Sequence, residues 1–240
     1  MSATTTTAHP AARIDRTGTR SAWNRPALAR SAAQVLPSPT ATPLAYAMVL
    51  LLLLATLLLR THPGDVDAVV TWASTNVYNL AHHPVAAMLV STFVVPGGLL
   101  PEVVIVAVSF AVLERAVGAR RTAVVALSGQ VIATLLTEYG AELGAQWHLL
   151  SESSAERPDV GVSYVMFAAL AASVLLLRGR AKVAGVLIVS GCVLVPFLQA
   201  PGMTTTGHVL SVAIGAATMT LLQRRGRRRH PSGVAVSPSP

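Results

Sequence analysis

The chain has 240 residues, of which 52% are hydrophobic and only 12% are charged, and its mean hydropathy is +0.58. This composition excludes an ordinary soluble domain and indicates a membrane protein. The net charge of +8 does not indicate nucleic-acid binding, because the basic residues flank apolar runs instead of forming one stripe. Seventeen of the eighteen basic residues are Arg, which together with the abundance of Ala and Val is typical of a GC-rich bacterial genome.

Sixteen of the eighteen basic residues fall in four clusters, separated by apolar runs. The clusters lie at residues 13–30, 115–121, 178–182 and 224–229. Lys and Arg in short loops mark the cytoplasmic side of a membrane protein. If all four clusters are cytoplasmic, each gap crosses the bilayer out and back. The pattern therefore predicts six spans in the inner (plasma) membrane, with both termini in the cytoplasm.

Residues 1–42 are rich in Thr, Ala, Ser, Pro and Arg and lack apolar periodicity, which predicts a disordered cytoplasmic tail. The first predicted span is 43–59, and because no A-x-A cleavage site follows it, we expect it to stay in the membrane. Residues 65–82 then repeat apolar side chains at intervals of three and four, which predicts a helix in the membrane interface, with Asp65 as its cap.

The apolar region 84–113 fits either one span or two. Two spans would place 114–121 outside, against the charge clusters. We therefore predict a single span at 97–113, preceded by a segment that dips into the outer leaflet. The residues predicted to break the helix between the two are Pro96, Gly97, Gly98 and Pro101.

The remaining predicted spans are 122–137, 160–177, 183–199 and 207–223. The six spans thus form one membrane domain over 43–223. Residues 224–240 are polybasic and then rich in Ser and Pro, which predicts a second disordered cytoplasmic tail. Its basic part suits the anionic head groups of lipids.

Two polar residues enter the membrane from the same outer face in this topology. Ser163 opens the fourth span and His208 opens the sixth. Serine becomes a nucleophile when a base takes its proton, and histidine is the usual base. The start of a helix also offers free backbone N–H groups, which stabilise an oxyanion. From these residues alone, Ser163 as a simple helix cap and His208 as an interfacial side chain remain open alternatives.

Small residues accompany both candidates. Ser211 and Gly215 follow His208 at three and seven positions, and Ala168, Ala171 and Ala172 follow Ser163. Small side chains allow two membrane helices to approach closely. We therefore predict that the fourth and sixth spans pack together.

Around Ser163 and His208 the chain resembles the rhomboid family of intramembrane serine proteases, in a divergent form of the actinobacterial type. That family has a six-span core, a G-x-S-G motif opening span four, and a His opening span six ahead of small residues. Here 161–163 match the first three positions of the motif, and His208 with Gly215 matches the second. Residues 114–118 resemble the family's E-x-x-x-G stretch, and 128–129 its Ser-Gly in span three.

The resemblance covers about residues 43–223 and implies a function. It implies a serine endopeptidase that cleaves membrane proteins near the outer face, with Ser163 as nucleophile and His208 as general base. Gly161 and the backbone N–H of Ser163 would contribute to the oxyanion site. Membrane-protein substrates, or transmembrane partners, are the implied binding partners.

Several positions depart from the family pattern. Tyr164 replaces the Gly that normally follows the nucleophile, and Ser211 stands where a Gly is common. The family's H-x-x-x-N pair, which binds the oxyanion, falls on Gly98 and Glu102. A missing oxyanion donor costs roughly 2.7–4 kcal/mol of transition-state stabilisation. The alternative function is therefore a catalytically inactive rhomboid-like protein that binds transmembrane segments of partners; a small transporter is a third class.

No HExxH, paired CxxC or phosphate loop is present, so no metal or cofactor is expected. His82 and His83 are adjacent, and on a helix they point about 100° apart, which does not make a metal site. Glu102 and Glu138 lie near outer span ends, where we expect them to reach water; a proton or ion pathway is the alternative. Cys192 is expected to be a buried apolar side chain.

Overall fold

A computed structural model of the protein describes residues 36–95, 99–148 and 158–229, with side chains up to 226. Within these ranges the chain is helical and contains no β-strand, which confirms the predicted all-α class. The predicted tails lie outside the described residues over 1–35 and 230–240.

Nine α-helices occur in the described ranges. They are α1 Pro43–Thr61, α2 Val66–Ala73, α3 Val77–His82, α4 Pro84–Ser91, α5 Leu99–Val117, α6 Ala119–Gln146, α7 Ser163–Leu175, α8 Gly179–Gln199 and α9 Met203–Arg229. Four are long and apolar enough to cross a membrane: α1, α6, α8 and the part of α9 up to Gly226. Helix α5 has 19 residues but carries three charged ones, and α7 has only 13.

Helix α7 is the centre of the bundle. It packs against α5, α6 and α9, and ten of its 13 residues are buried. Small alanine side chains make this burial possible, because they let neighbouring backbones approach. The helix that carries Ser163 is therefore enclosed by protein.

Helix α8, by contrast, is peripheral. Only Val189 and Val193 are buried in it. Its outward apolar side chains include Val183, Val186, Leu187, Ile188, Leu194, Val195 and Leu198. An exposed apolar surface of this extent on a helix of 21 residues suits contact with lipid. Cys192 is exposed on this helix, so its expected burial is wrong.

Glu114 and Gly118, the first and last residues of the stretch that resembles E-x-x-x-G, lie at the turn between α5 and α6. Glu114 is buried, and its carboxylate accepts hydrogen bonds from the backbone N–H groups of Leu44 at 3.1 Å and Ala45 at 2.9 Å. These N–H groups belong to the first turn of α1, where no intrahelical partner exists. Gly118 has φ +85°, a conformation that favours glycine. Glu114 thus joins α1 to α5.

We expect Glu114→Ala to lower the free energy of unfolding by about 1–3 kcal/mol, because two backbone donors at the start of α1, one of them in a buried hydrogen bond, lose their acceptor. The measurement is thermal or denaturant unfolding in detergent. Glu142→Ala is the matched control, since the hydrogen-bond partner of Glu142 among the described residues is the exposed Gln146. Equal effects of the two substitutions would show that the Glu114 contacts do not stabilise the fold.

The predicted helix over 65–82 is divided into α2 and α3. Ser74 has ψ 140° and leaves the helical conformation, and the side chain of Asn76 then caps α3 by accepting from the N–H of Asn79. The Asn79 amide donates back to the carbonyls of Thr71, Trp72 and Ser74. Asp65 occupies the N-cap position of α2, as predicted, but its side chain makes no capping hydrogen bond.

Several predicted boundaries move. Four residues are predicted to break the helix before α5, and three of them, at 96–98, lie outside the described residues. The fourth, Pro101, is in the first turn of α5, where its missing N–H is tolerated. The segment predicted to dip into the membrane contains helix α4. Helix α9 begins before the predicted 207 and continues through Arg224 and Arg225. Residues 36–42 form a hydrogen-bonded turn, in which the N–H of Ser38 donates to the hydroxyl of Thr42 at 2.8 Å.

Candidate active site

His208 lies in the second turn of α9, with its ring directed at α7. The ring centroid is 4.7 Å from that of Phe167 and 5.9 Å from that of Tyr164, which it meets edge-on. The Nε2 atom is buried and makes no hydrogen bond with any described residue. An imidazole nitrogen held in this way is available to a further group that enters the site.

Ser163 is the first residue of α7 and is half-buried. It precedes Phe167 by four residues, so both lie on the same face of the helix. That face is the one whose Phe167 ring contacts His208. Among the described residues no hydrogen bond is formed by the Ser163 hydroxyl, and the predicted pairing of Ser163 with His208 stays a prediction.

The contact between α7 and α9 depends on small residues, as predicted. A Cβ added at Gly215 would lie 2.5 Å from the Cα of Ala168 and would overlap its carbonyl oxygen. Gly129 of α6 approaches Ala168 from another side, where an added Cβ would overlap the Ala168 Cβ. Ser211 is fully buried, and its hydroxyl donates to the carbonyl of His208 at 3.0 Å. The predicted packing of these two helices is confirmed.

Tyr164 is accommodated by a glycine on the facing helix. A Cβ at Gly207 would overlap the Tyr164 ring, so the tyrosine occupies the space that a side chain at 207 would fill. The ring passes between α9 and α6, and its hydroxyl is close enough to Thr137 and Asp159 to interact with them. The departure from G-x-S-G at 164 is therefore matched by the glycine before His208.

The two residues before Ser163 are held by the backbone. Gly161 has φ +133°, which side chains rarely adopt, and its N–H donates to the carbonyl of Ser91 at 2.8 Å. Val162 is buried. A glycine at 161 is thus required by the turn that begins α7.

Asp159 fastens the start of α7 to the loop between α2 and α3. The N–H of Thr75 donates to the Asp159 carbonyl at 3.0 Å, and its hydroxyl donates to the carboxylate at 3.2 Å. The N–H of Asp159 donates to the hydroxyl of Ser74 at 3.0 Å. These bonds and the Gly161–Ser91 bond tie the segment α2–α4 to the residues that precede Ser163.

Burial raises the pKa of Asp159 above its usual range, while the hydrogen bond from Thr75 and the nearby hydroxyl of Tyr164 act in the opposite direction. Folding therefore makes protonation of this carboxyl more favourable than it is in the unfolded chain. The resulting stability is full below the ordinary pKa of an aspartate and is lost as the pH rises through the raised value.

Glu138 corrects one expectation from the sequence. It was expected to reach water, but it is 1% exposed, and neither carboxylate oxygen has a hydrogen-bond partner among the described residues. Helix α6 continues to Gln146, beyond the predicted end at 137, so Glu138 falls inside the bundle. The signal in the sequence was the four-residue spacing of Gln130, Thr134 and Glu138, which places three polar side chains on one face.

Two cavities open on other parts of the described structure. One, of about 750 Å³, lies on α2 and α3, where the Trp72 and His83 rings stack at 5.2 Å. The other, of about 590 Å³, is an apolar groove between α1 and α4. Neither is lined by residues of α7 or α9. The described residues contain no cluster of three His, Cys, Asp or Glu side chains able to hold a metal.

Comparison with known proteins identifies the family of the chain. The model of the rhomboid-like protein family matches residues 40–229, which covers α1 to α9 and includes Ser163 and His208. No curated protein and no solved structure matches the chain. Together with its apolar helices, this match shows a multi-pass membrane protein. Because the match spans more than half of the 240 residues, the chain belongs to the rhomboid-like protein family.

Proposed function

We propose that the protein is an intramembrane serine endopeptidase in which Ser163 is the nucleophile and His208 the general base. The observation that carries the proposal is the buried Nε2 atom of His208, which has no partner among the described residues. The His208 ring contacts Phe167, which lies on the same face of α7 as Ser163. A serine and a histidine on facing helices are the minimum needed for acyl transfer.

The proposed reaction uses these two side chains. The Ser163 Oγ attacks the carbonyl carbon of a peptide bond while His208 Nε2 takes the hydroxyl proton. The backbone N–H of Ser163, in the first turn of α7, donates to the oxyanion. The peptide C–N bond then breaks, and the amine leaves with the proton from His208. A water molecule, deprotonated by His208, hydrolyses the acyl ester and restores Ser163.

The short length of α7 supports a reaction below the membrane surface. Thirteen helical residues rise about 20 Å, whereas a hydrocarbon core is about 30 Å thick. If α7 ends near the cytoplasmic boundary, Ser163 begins about 10 Å inside the outer one. This short helix does not contact lipid along its whole length, because it is enclosed by α5, α6 and α9.

We include α5 and α7 with the four long apolar helices in a six-span topology with both termini in the cytoplasm. The basic residues at 115–121 and 178–182 then lie inside, and 140–160 lies outside. The plasma membrane is the expected location, and anionic lipid head groups are expected partners of the residues from 224 to 229.

Labelling of introduced cysteines tests the topology. In a Cys192→Ser background, a membrane-impermeant thiol reagent should label Ser151→Cys in intact cells, because this position is expected outside. Ser232→Cys should be labelled only after the membrane is opened. Equal labelling of both positions in intact cells contradicts six spans with a cytoplasmic C-terminus.

A second candidate function is the binding of partner transmembrane segments without cleavage. The observation that favours it is Glu102, which stands at a position where the active family has an oxyanion donor. Its Oε2 atom is buried without a partner among the described residues, and an ionised carboxylate cannot donate to an oxyanion. The exposed apolar face of α8 offers such a partner a contact surface.

A further inference from the structure

A column of buried polar groups runs along one face of α6 and is not used by the proposed reaction. Gln130, Thr134 and Glu138 are 4%, 0% and 1% exposed. The Gln130 Oε1, the Thr134 hydroxyl and both Glu138 carboxylate oxygens lack hydrogen-bond partners among the described residues. Buried polar atoms are normally satisfied, so each of these oxygens is expected to meet a group from outside the described residues.

The upper end of this column meets α7. Tyr164 is 3% exposed, and its hydroxyl is not aligned for a hydrogen bond with any described group. The hydroxyl nevertheless lies within electrostatic range of both the Asp159 and the Glu138 carboxylates. Thr75 holds Asp159 in this position through its hydroxyl at 3.2 Å. Two carboxylates and a phenol from three parts of the chain therefore lie within electrostatic range of one another.

No basic side chain among the described residues bonds to Glu138, so none of them balances the charge of its carboxylate. An unpaired carboxylate in the interior of a membrane protein is strongly unfavourable, and a second carboxylate nearby adds repulsion. Groups of this kind hold a proton or a cation. All the groups that converge here offer oxygen atoms, which are the ligands preferred by hard cations.

We propose that Glu138, Asp159 and the Tyr164 hydroxyl form a binding site for a hard cation, sodium or calcium, beside the candidate active site. The cation joins α6 to the loop before α7 and, through Thr75, to the segment α2–α4. The hydroxyl of Thr137, which donates to its own helix backbone, keeps its lone pairs free to serve as a further ligand. This site is independent of peptide cleavage and does not require Ser163 to be active.

Direct binding tests the proposal on the purified full-length protein in detergent. Equilibrium dialysis with radioactive calcium and, separately, with radioactive sodium should show saturable binding of one of the two ions. The same ion should raise the midpoint of thermal unfolding relative to choline chloride at equal ionic strength, because it binds the folded state. Binding of calcium identifies a divalent site, and binding of sodium a monovalent one.

Substitutions locate the site. Glu138→Gln should abolish both saturable binding and the shift in midpoint, whereas Glu142→Gln, one turn further along α6, should retain both. Tyr164→Phe keeps the ring against Gly207 but removes one ligand, and it should weaken binding without loss of the fold. If Glu138→Gln does not fold, Tyr164→Phe tests the site in its place. Unchanged ion binding by Tyr164→Phe would then count against the site.

The proposal is overturned if neither ion binds or shifts the midpoint of the wild type, or if Glu138→Gln binds as the wild type does. It is also overturned if Glu138→Gln raises the midpoint in choline chloride while no ion binds to the wild type. That last outcome would show that Glu138 holds a proton.

Discussion

Ser163→Ala and His208→Ala should each reduce cleavage of a helical transmembrane reporter to the background of the assay. Loss of the nucleophile removes the acyl-enzyme pathway, and the expected decrease is on the order of 10⁴-fold or more. Loss of the general base costs about 10²–10⁴-fold. The reporter is cleaved in liposomes by wild type and variants at equal folded concentration, and the rate of product formation is measured.

Ser190→Ala is the matched control for the serine substitution. Ser190 lies on the peripheral helix α8 and makes no hydrogen bond with a described residue. It should cleave at the wild-type rate. A serine-reactive probe should label the wild type and Ser190→Ala but not Ser163→Ala. If the wild type neither cleaves nor reacts with the probe, binding of partner segments becomes the better account, and co-purification of a transmembrane peptide with every variant would support it.

Gly215→Ala should lower the free energy of unfolding by about 1–3 kcal/mol, the usual cost of overpacking. The added methyl group meets the backbone of Ala168, which cannot turn away as a side chain would. Helices α7 and α9 must then separate, and His208 moves with α9. Unfolding in detergent measures the stability, and the reporter assay should show a lower rate in the fraction that stays folded.

Gly191→Ala provides the comparison, since a Cβ at Gly191 meets nothing within 4 Å. In a helix this substitution is intrinsically favourable by up to about 1 kcal/mol. We therefore expect effects of opposite sign at the two glycines. Destabilisation of the same size at both positions would show that close contact between α7 and α9 is not the cause.

The sequence was informative where a property depends on local spacing. The basic clusters and apolar runs predicted the order of the long helices, and the small residues after Ser163 and His208 predicted the contact between α7 and α9. Properties that depend on several helices at once were missed. The burial of Glu138 requires α6, α7 and residue 159 to be assembled, and the division of α2 from α3 is stabilised by the three carbonyl contacts of Asn79.

Tyr164 is another residue whose role depends on the packing of several helices and is not visible from its local sequence. Considered alone, a tyrosine after the candidate nucleophile counts against a protease of this family. In the structure, its ring fills the space left open by Gly207, and its edge supports the His208 ring. Two residues that are separated by 43 positions in the sequence are complementary in space, and their relation is visible only when α7 and α9 are placed side by side.

The loop before α7 is joined to Thr75 and Ser91 by hydrogen bonds, and these bonds have a consequence for bilayers of different thickness. Trp72 and Tyr78 are 50% and 68% exposed on the segment α2–α4, and such aromatic side chains settle at the boundary between hydrocarbon and head groups. A loop fastened to that boundary carries Ser163 with it. Ser163 should therefore stay at a constant depth below the outer surface when the lipid chains are lengthened, and the mismatch should be taken up at the opposite end of α7.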